Sequence, residues 1–401
     1  MSSRKDEIDS EARIDYGIIF AVLVLAIIGL ASIYVSASHD TSATSIVSQM
    51  VSQLMWYAIG VVAIVVIMQF DSEQLWRIAP IVYGVGLFLL AIVLVVYSRS
   101  LYASTGAKSW IPLVGSLTFQ PSEVMKPAFI LMLARVVTVH NNDYPTHKLS
   151  TDFILLAKMI GWTLPVVILL KLQNDFGTML VFFAILGGVI LVSGITWKII
   201  GPAFGIVAVV GGTTLYMVIS TTGRAILEKI GFAAYQFDRV DNWLDPSKDT
   251  SGTGYQLWQS MKAIGSGQMT GKGFNVSNVY VPVRESDMIF SVIGENFGFI
   301  GGCILIFIYF LLIYRMVRAT FDTKNEFYAY LSTGVIMMIL FHVFENIGMS
   351  IGLLPLTGIP LPFVSQGGSA LVGNMIGIGL IMSMRFHHKS YMFSNDDEDF
   401  D

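Results

Sequence analysis

The residues able to do chemistry are ionisable side chains set at the edges of apolar runs. Asp287 opens one such run, and Ser291 and Glu295 follow at i+4 and i+8, so the three share a helical face that extends into the bilayer. A carboxylate in that position can take a proton from a substrate hydroxyl as a general base. Helix-start stabilisation is the other service open to it, although Glu285 and Ser286 already offer that. Glu123 and Lys126, in Gln120-Pro-Ser-Glu-Val-Met-Lys126, lie three apart at the head of another run and can pair. Pro121 suits a first helical position, and Glu123 suits the positive end of the dipole. Two readings stand: a capped helix start with a neutralising ion pair, or a pair lining a polar cavity, where ionisable groups near a membrane usually face. Asp175, in Leu172-Gln-Asn-Asp-Phe-Gly177, either caps the next helix or joins Gln173, Asn174 and Lys171 in a head-group or cation site. His342 and Glu345 read as a buried structural pair, since no third metal ligand accompanies them.

The elements that must position these groups are membrane helices. Of 401 residues, 54% are hydrophobic and 13% charged, too apolar a mixture for a soluble domain. About 20 apolar residues span a hydrocarbon core of about 30 Å. Ten runs qualify: 16–36, 53–70, 78–98, 122–140, 152–171, 177–194, 198–219, 288–316, 327–349 and 367–385. The eighth is long enough to need a tilt or an exposed turn. The expected fold is an all-α polytopic membrane protein forming one domain over 1–401. It has ten transmembrane helices, a large loop at 220–287 between the seventh and eighth, and a tail at 386–401. The first run exceeds a signal-peptide core of about 7–15 residues, so it reads as an uncleaved span. Cys303 lies inside a span and reads as a packing residue.

Short connections carry Lys and Arg almost wholly on one side. With both termini cytoplasmic, that side holds Arg4, Lys5, Arg13, Arg77, Arg135, Lys148, Lys198, Arg315, Arg318, Lys324, Arg385 and Lys389, against Arg99 and Lys108 opposite. The large loop then faces outward. ATP and nucleotide sugars are cytoplasmic, so a reaction there needs a substrate activated beforehand. Gly265-Ser-Gly-Gln-Met-Thr-Gly-Lys-Gly273 imitates a phosphate loop, but its spacing is one residue too long and Gly273 replaces the magnesium-binding hydroxyl. Nucleotide binding is excluded there; Lys272 is left as a contact for a lipid phosphate or as part of a solvated turn. The net charge of −4 says little about partners, and no clustered basic stripe points to nucleic acid. The stretch Leu354 to Ser369 is apolar yet broken by Pro355, Gly358, Pro360, Pro362, Gly367 and Gly368. It cannot be a continuous helix, and reads as a re-entrant loop packed in protein before the tenth span.

Five collinear segments resemble the SEDS family (shape, elongation, division and sporulation), which polymerises bacterial peptidoglycan. They are Phe119 to Lys126, Gln173 to Gly177, Gly254-Tyr-Gln-Leu-Trp-Gln-Ser260 with Gly271-Lys-Gly273, Ser286 to Glu295, and Thr357 to Ser369. Asn346-Ile-Gly-Met349, Ile351-Gly-Leu-Leu-Pro355 and Gln366 resemble the elongation branch more than the division branch. Asn296 and Gln366 depart from the common family pattern, which has an acid and a Tyr there. The resemblance implies a glycosyltransferase that joins lipid II, a disaccharide-peptide on undecaprenyl diphosphate, outside the cytoplasmic membrane. Asp287 is then the base of an inverting displacement, with Glu123, Lys126, Asp175, Arg239, Lys272, Glu295 and Ser365 lining the substrate cavity. Charge on the leaving diphosphate would be met by Lys126, Lys272, Arg239 and Arg224, or by loosely held Mg²⁺ or Mn²⁺. The resemblance also implies a class B penicillin-binding protein as transpeptidase partner. A lipid II flippase and a scaffold, the latter using Gly373 and Gly377 at GxxxG spacing, are the competing classes. The acidic end Asn395 to Asp401 reads as a solvated tail.

Overall fold

A computed structural model describes residues 14–40, 45–113, 117–230, 234–248, 252–321, 323 and 325–392. Arg4, Lys5, Arg13, Lys324 and the acidic end at 395–401 lie outside the described residues. The chain runs through α1 (Tyr16–Ser38), α2 (Ile46–Ile67), α3 (Ser72–Ile92) and the short α4 (Arg99–Thr105). A two-residue ladder follows, with Ile111 opposite Phe119. Next come α5 (Pro121–Asp143), α6 (Leu149–Gln173), α7 (Phe176–Val192) and α8 (Trp197–Ile219). The large loop holds α9 (Thr221–Ile230), α10 (Ala234–Leu244) and α11 (Thr253–Ser266), and α12 (Ile289–Phe321), α13 (Glu326–Ser350) and α14 (Gly368–Met392) complete the bundle.

Each of the ten expected runs overlaps a helix, although the second and third helices begin several residues before the runs placed at 53–70 and 78–98. Eight of these helices (α1, α2, α3, α6, α8, α12, α13 and α14) are long and apolar enough to cross a membrane. Between them, α7 is a shorter apolar helix, and α5 carries Glu123, Lys126 and Arg135. The bundle has the polarity of a membrane protein. Helix α5 packs against α3, α13 and α14, and it buries Glu123, Lys126 and His140. Large apolar side chains such as Val207, Val209 and Phe310 face outward. Lipid is as apolar as the interior, so helix burial here follows close packing and polar pairing. Gly373 shows the close approach: a Cβ on it would lie 2.6 Å from the Glu123 carbonyl, and Gly377 packs likewise on Val335 and Met338. The GxxxG pair therefore joins helices within this chain. At the opposite end, Asp15 caps α1 through Gly17 N and Ile18 N and pairs with Arg385 of α14.

The long eighth run is resolved by a break. Gly298 takes φ 63° and ψ −161°, which separates residues 289–297 from 299–321. The orphaned backbone groups on both sides are taken up by the large loop. Phe299 N and Ile300 N donate to the carbonyls of Gln268 and Met269, while Lys272 N and Gly273 N donate to those of Glu295 and Asn296. At 1.5 Å per residue the second arm alone reaches about 34 Å, a full span. The polar face of the first arm therefore turns to the loop and does not continue down a single transmembrane helix. Ser291 bonds the Met288 carbonyl, and Glu295 accepts from Asn278 N and Val279 N.

The conformation of Gly298 belongs to a region that only glycine occupies readily, and a Cβ there would also meet the Met269 carbonyl oxygen at 2.8 Å. Gly298→Ala is expected to cost about 1–3 kcal/mol. Thermal unfolding of the detergent-purified protein measures it, and an unchanged midpoint would contradict the assignment of the break.

Candidate active site

Asp287 sits where the large loop meets α12, in a segment held by its main chain. Three consecutive carbonyls each accept one hydrogen bond. Gln366 N donates to Glu285 O at 2.8 Å, Ser365 Oγ to Ser286 O at 2.6 Å, and Asn346 Nδ2 to Asp287 O at 2.8 Å. Two of those donors also hold the broken connection after α13: Asn346 Nδ2 reaches Ile359 O at 2.8 Å, and Ser365 Oγ accepts from Leu361 N at 2.8 Å. The connection is buried in protein, as its composition required, with Leu361, Phe363 and Val364 almost fully covered. Its carbonyls find side chains from the bundle: Tyr57 of α2 binds Phe363 O, Tyr309 of α12 binds Pro362 O, and Gln53 of α2 binds Ser365 O. Arg284 is buried and ties the same segment to the end of α1, through Ser36 O at 3.1 Å.

The carboxylate of Asp287 is half-buried in the recess so formed. The Ser286 hydroxyl donates to Oδ1 at 3.1 Å. Gly358, at φ 77°, faces the other oxygen, and a Cβ there would lie 3.3 Å from Oδ2. Burial pushes the Asp287 carboxyl up to about 7, with the Glu285 charge adding and the Ser286 hydrogen bond opposing. Burial likewise raises Glu285, against the pull of Arg284. A carboxylate of that basicity, partly reachable from outside, suits proton abstraction near neutrality.

The other candidate residues form distinct groups. Lys126 Nζ lies 2.8 Å from both Glu123 oxygens and 2.9 Å from His342 Nε2, all three side chains being buried. His342 Nδ1 faces Met338 O at 2.6 Å, so that nitrogen carries the proton and Nε2 accepts from lysine. The expected His342–Glu345 pair is therefore replaced. Because α13 packs on α5, His342 serves the buried cation, and Glu345 accepts from the Thr357 hydroxyl at 2.9 Å. Asp175 caps α7, its Oδ1 accepting from Thr178 N, and its Oδ2 accepts from the Gln120 side chain. Gln120 N in turn donates to Ser369 Oγ, and a Cβ on Gly177 would lie 2.9 Å from Thr357 O. The starts of α5, α7 and α14 thus gather at the connection that also faces Asp287 at the start of α12.

Lys272 and Glu295 pair at 3.4 Å, within the loop that closes the α12 break. The amides of Lys272 and Gly273 bind main-chain carbonyls, which explains why this glycine-rich run resembles a phosphate loop without serving as one. Arg224 forks onto Asp241, and Arg239 is half-buried on α10, which rests on α8 and α11. Ser365 stands beside Asp287, but its hydroxyl is occupied by backbone groups. The sequence alone does not mark Asn346, Thr357, Gly358, Tyr57 and Gln53 as site residues. A lone amide in an apolar helix was the available signal for Asn346.

Removing one member of a buried ion pair strands the other, at about 3–5 kcal/mol, whereas removing both is far milder. Lys126→Met alone is expected to lower the unfolding midpoint strongly, and Glu123→Gln with Lys126→Met to recover most of the loss. A double variant no better than the single one would show that Lys126 acts chiefly through other partners.

The FtsW/RodA/SpoVE family model, described as cell cycle protein, matches residues 16–390. Among curated relatives, the peptidoglycan glycosyltransferase MrdB of Escherichia coli K12 is 35% identical over 339 residues, covering 83% of this chain and 84% of the relative. Among solved structures, a chain from a peptidoglycan synthase complex, solved for the structural coordination of polymerization and crosslinking, superposes with a TM-score of 0.74 at 26% identity. That superposition covers 94% of this chain and 98% of the other. The rod shape determining protein RodA of Thermus thermophilus superposes with a TM-score of 0.65 at 25% identity, covering 94% and 97%. A match across nearly the whole length, in sequence and in fold, means that this chain belongs to the FtsW/RodA/SpoVE family, the SEDS family of the motifs.

Proposed function

We propose that this chain is a peptidoglycan glycosyltransferase that polymerises lipid II at the outer face of the cytoplasmic membrane, with Asp287 as its general base. The observation that carries the reading is a recessed carboxylate of raised basicity on a backbone fixed at three successive carbonyls. In the proposed step, the 4-hydroxyl oxygen of one lipid-linked sugar attacks the anomeric carbon of another in line. The bond from that carbon to the diphosphate breaks, the bonding pair leaves with the diphosphate, and the hydroxyl proton passes to Asp287. A single displacement of an α-linked donor yields a β bond, so the reaction inverts. A base with a pKa near the working pH contributes roughly 10²–10⁴-fold.

The leaving diphosphate needs positive potential. The starts of α5, α7, α12 and α14 gather at one place, and each presents the positive end of a helix dipole. Lys126 is engaged by Glu123 and His342, which neutralises its charge and leaves the diphosphate to the helix starts. Among the described residues no group of three His, Cys, Asp or Glu side chains could hold a metal. The donor set does not fit a resident ion, and no step is routed through one; Mg²⁺ or Mn²⁺ arriving on the diphosphate is the form in which a cation would take part. The outward face of the large loop, cytoplasmic termini and a class B penicillin-binding protein partner belong to the same proposal. The charge asymmetry of the connections supports the first two, and the synthase complex formed by a relative supports the third. The likeness to MrdB and RodA favours elongation over division.

Purified protein supplied with lipid II, alone and with its transpeptidase, is expected to make glycan strands. Asp287→Asn should lower that activity at least about 100-fold while the protein keeps its fold. Full activity in that variant would remove Asp287 from the mechanism. Translocation of lipid II across proteoliposomes without chain growth would favour the flippase.

A further inference from the structure

We propose that Asn346 is the positioning residue for Asp287, locking the base and the connection that roofs it into one unit. This rests on the reading of Asp287 as the base. Asn346 lies in the interior of α13 and is fully buried. Its single amide nitrogen donates one hydrogen to Asp287 O and the other to Ile359 O, each at 2.8 Å. Two bonds of that length from one planar amide hold the two carbonyl oxygens within about 5 Å of each other.

The roof is held from the same turn of α13. Glu345 accepts from Thr357, and Asn346 holds Ile359. Between those two anchors stands Gly358, the residue against Asp287 Oδ2. Adjacent side chains on one helix therefore pin both neighbours of the glycine that covers the carboxylate, and one of them also pins the base itself. Ser365 and Gln366 hold the preceding carbonyls from the far end of the connection. Asn346 binds the main chain of the residue that carries the reacting carboxylate, while the Ser286 hydroxyl binds its side chain. No water can replace it without opening the recess, because nothing of the side chain is exposed.

The charged groups around Asp287 are Glu285 and Arg284 in its own segment, Asp40 beyond Glu285, and Glu345 on α13 across Thr357. The connection between 354 and 367 bears no charge. Asn346→Ala leaves every one of these in place and removes only the clasp. Freed of it, the roof loosens, water reaches the carboxylate, and its titration falls toward the ordinary carboxylate range.

The test is a pH titration of the Asp287 carboxyl by difference infrared spectroscopy, the band being assigned by its loss in Asp287→Asn. It is run on full-length protein alongside lipid II polymerisation. The expected midpoint is near 7 for the wild type, lower by about one unit or more in Asn346→Ala. Turnover should fall about 100-fold, the scale of a misplaced catalytic group, with KM little changed. Asn346→Leu keeps the volume and adds no charge but cannot donate; it should also lose turnover, and it serves if the alanine variant does not fold. Unmoved midpoints in both variants would overturn the proposal, whether or not activity falls, because a merely structural role lowers activity without retuning the base. A wild type that makes no glycan, while its carboxyl band responds to Asn346, would overturn the glycosyltransferase reading and leave the clasp standing.

Discussion

The carbonyls of Glu285, Ser286 and Asp287 each find a hydrogen-bond donor, and much of the bundle is arranged to supply those donors. A chain that leaves regular helix inside an apolar protein must still satisfy every N–H and C=O, at a cost of several kcal/mol for each failure. Here that requirement fixes the base. The donors come from α13 and from the connection before α14, and the connection is itself held by Tyr57 and Gln53 of α2 and Tyr309 of α12. Displacing any one of these elements moves the carboxylate.

The same accounting explains the break in α12. Gly298 permits a turn that exposes carbonyls on one side and amides on the other, and the run at 267–273 satisfies both. Glycines in that run let two backbones approach: a Cβ on Gly271 would collide with the Asn296 carbonyl. The large loop is thereby stitched to the arm that carries Asp287. Glu295 reinforces the stitching by binding loop amides, which makes it a support of the base's surroundings rather than a deep membrane charge.

Much of this was legible in the residues. Apolar runs placed the helices, because about 20 residues per span leaves little freedom in a chain so poor in charge. The prolines and glycines of 354–369 announced a broken, buried connection, and Asp287 stood out as an acid at the mouth of a run. Three things were not legible. Whether a run of 29 residues tilts or breaks depends on whether another segment can satisfy the freed backbone, and periodicity carries no trace of that. The partner of His342 is the second, since i,i+3 spacing shows which groups share a face but not which neighbouring helix supplies a buried cation. Asn346 was read only as part of a family motif; its role depends on two carbonyls brought to it from residues 287 and 359.

The central claim is that Asp287 works as a base whose basicity is set by its recess. The pH dependence of kcat/KM for glycan formation, measured on the purified protein between about pH 5 and 9, tests it most directly. The ionised form is the active one, so the rate should rise through a single ionisation near 7 and fall about tenfold per unit on the acid side. A rate that stays level down to about pH 5 would mean that no carboxylate of raised basicity takes part, and the account of this site would be wrong.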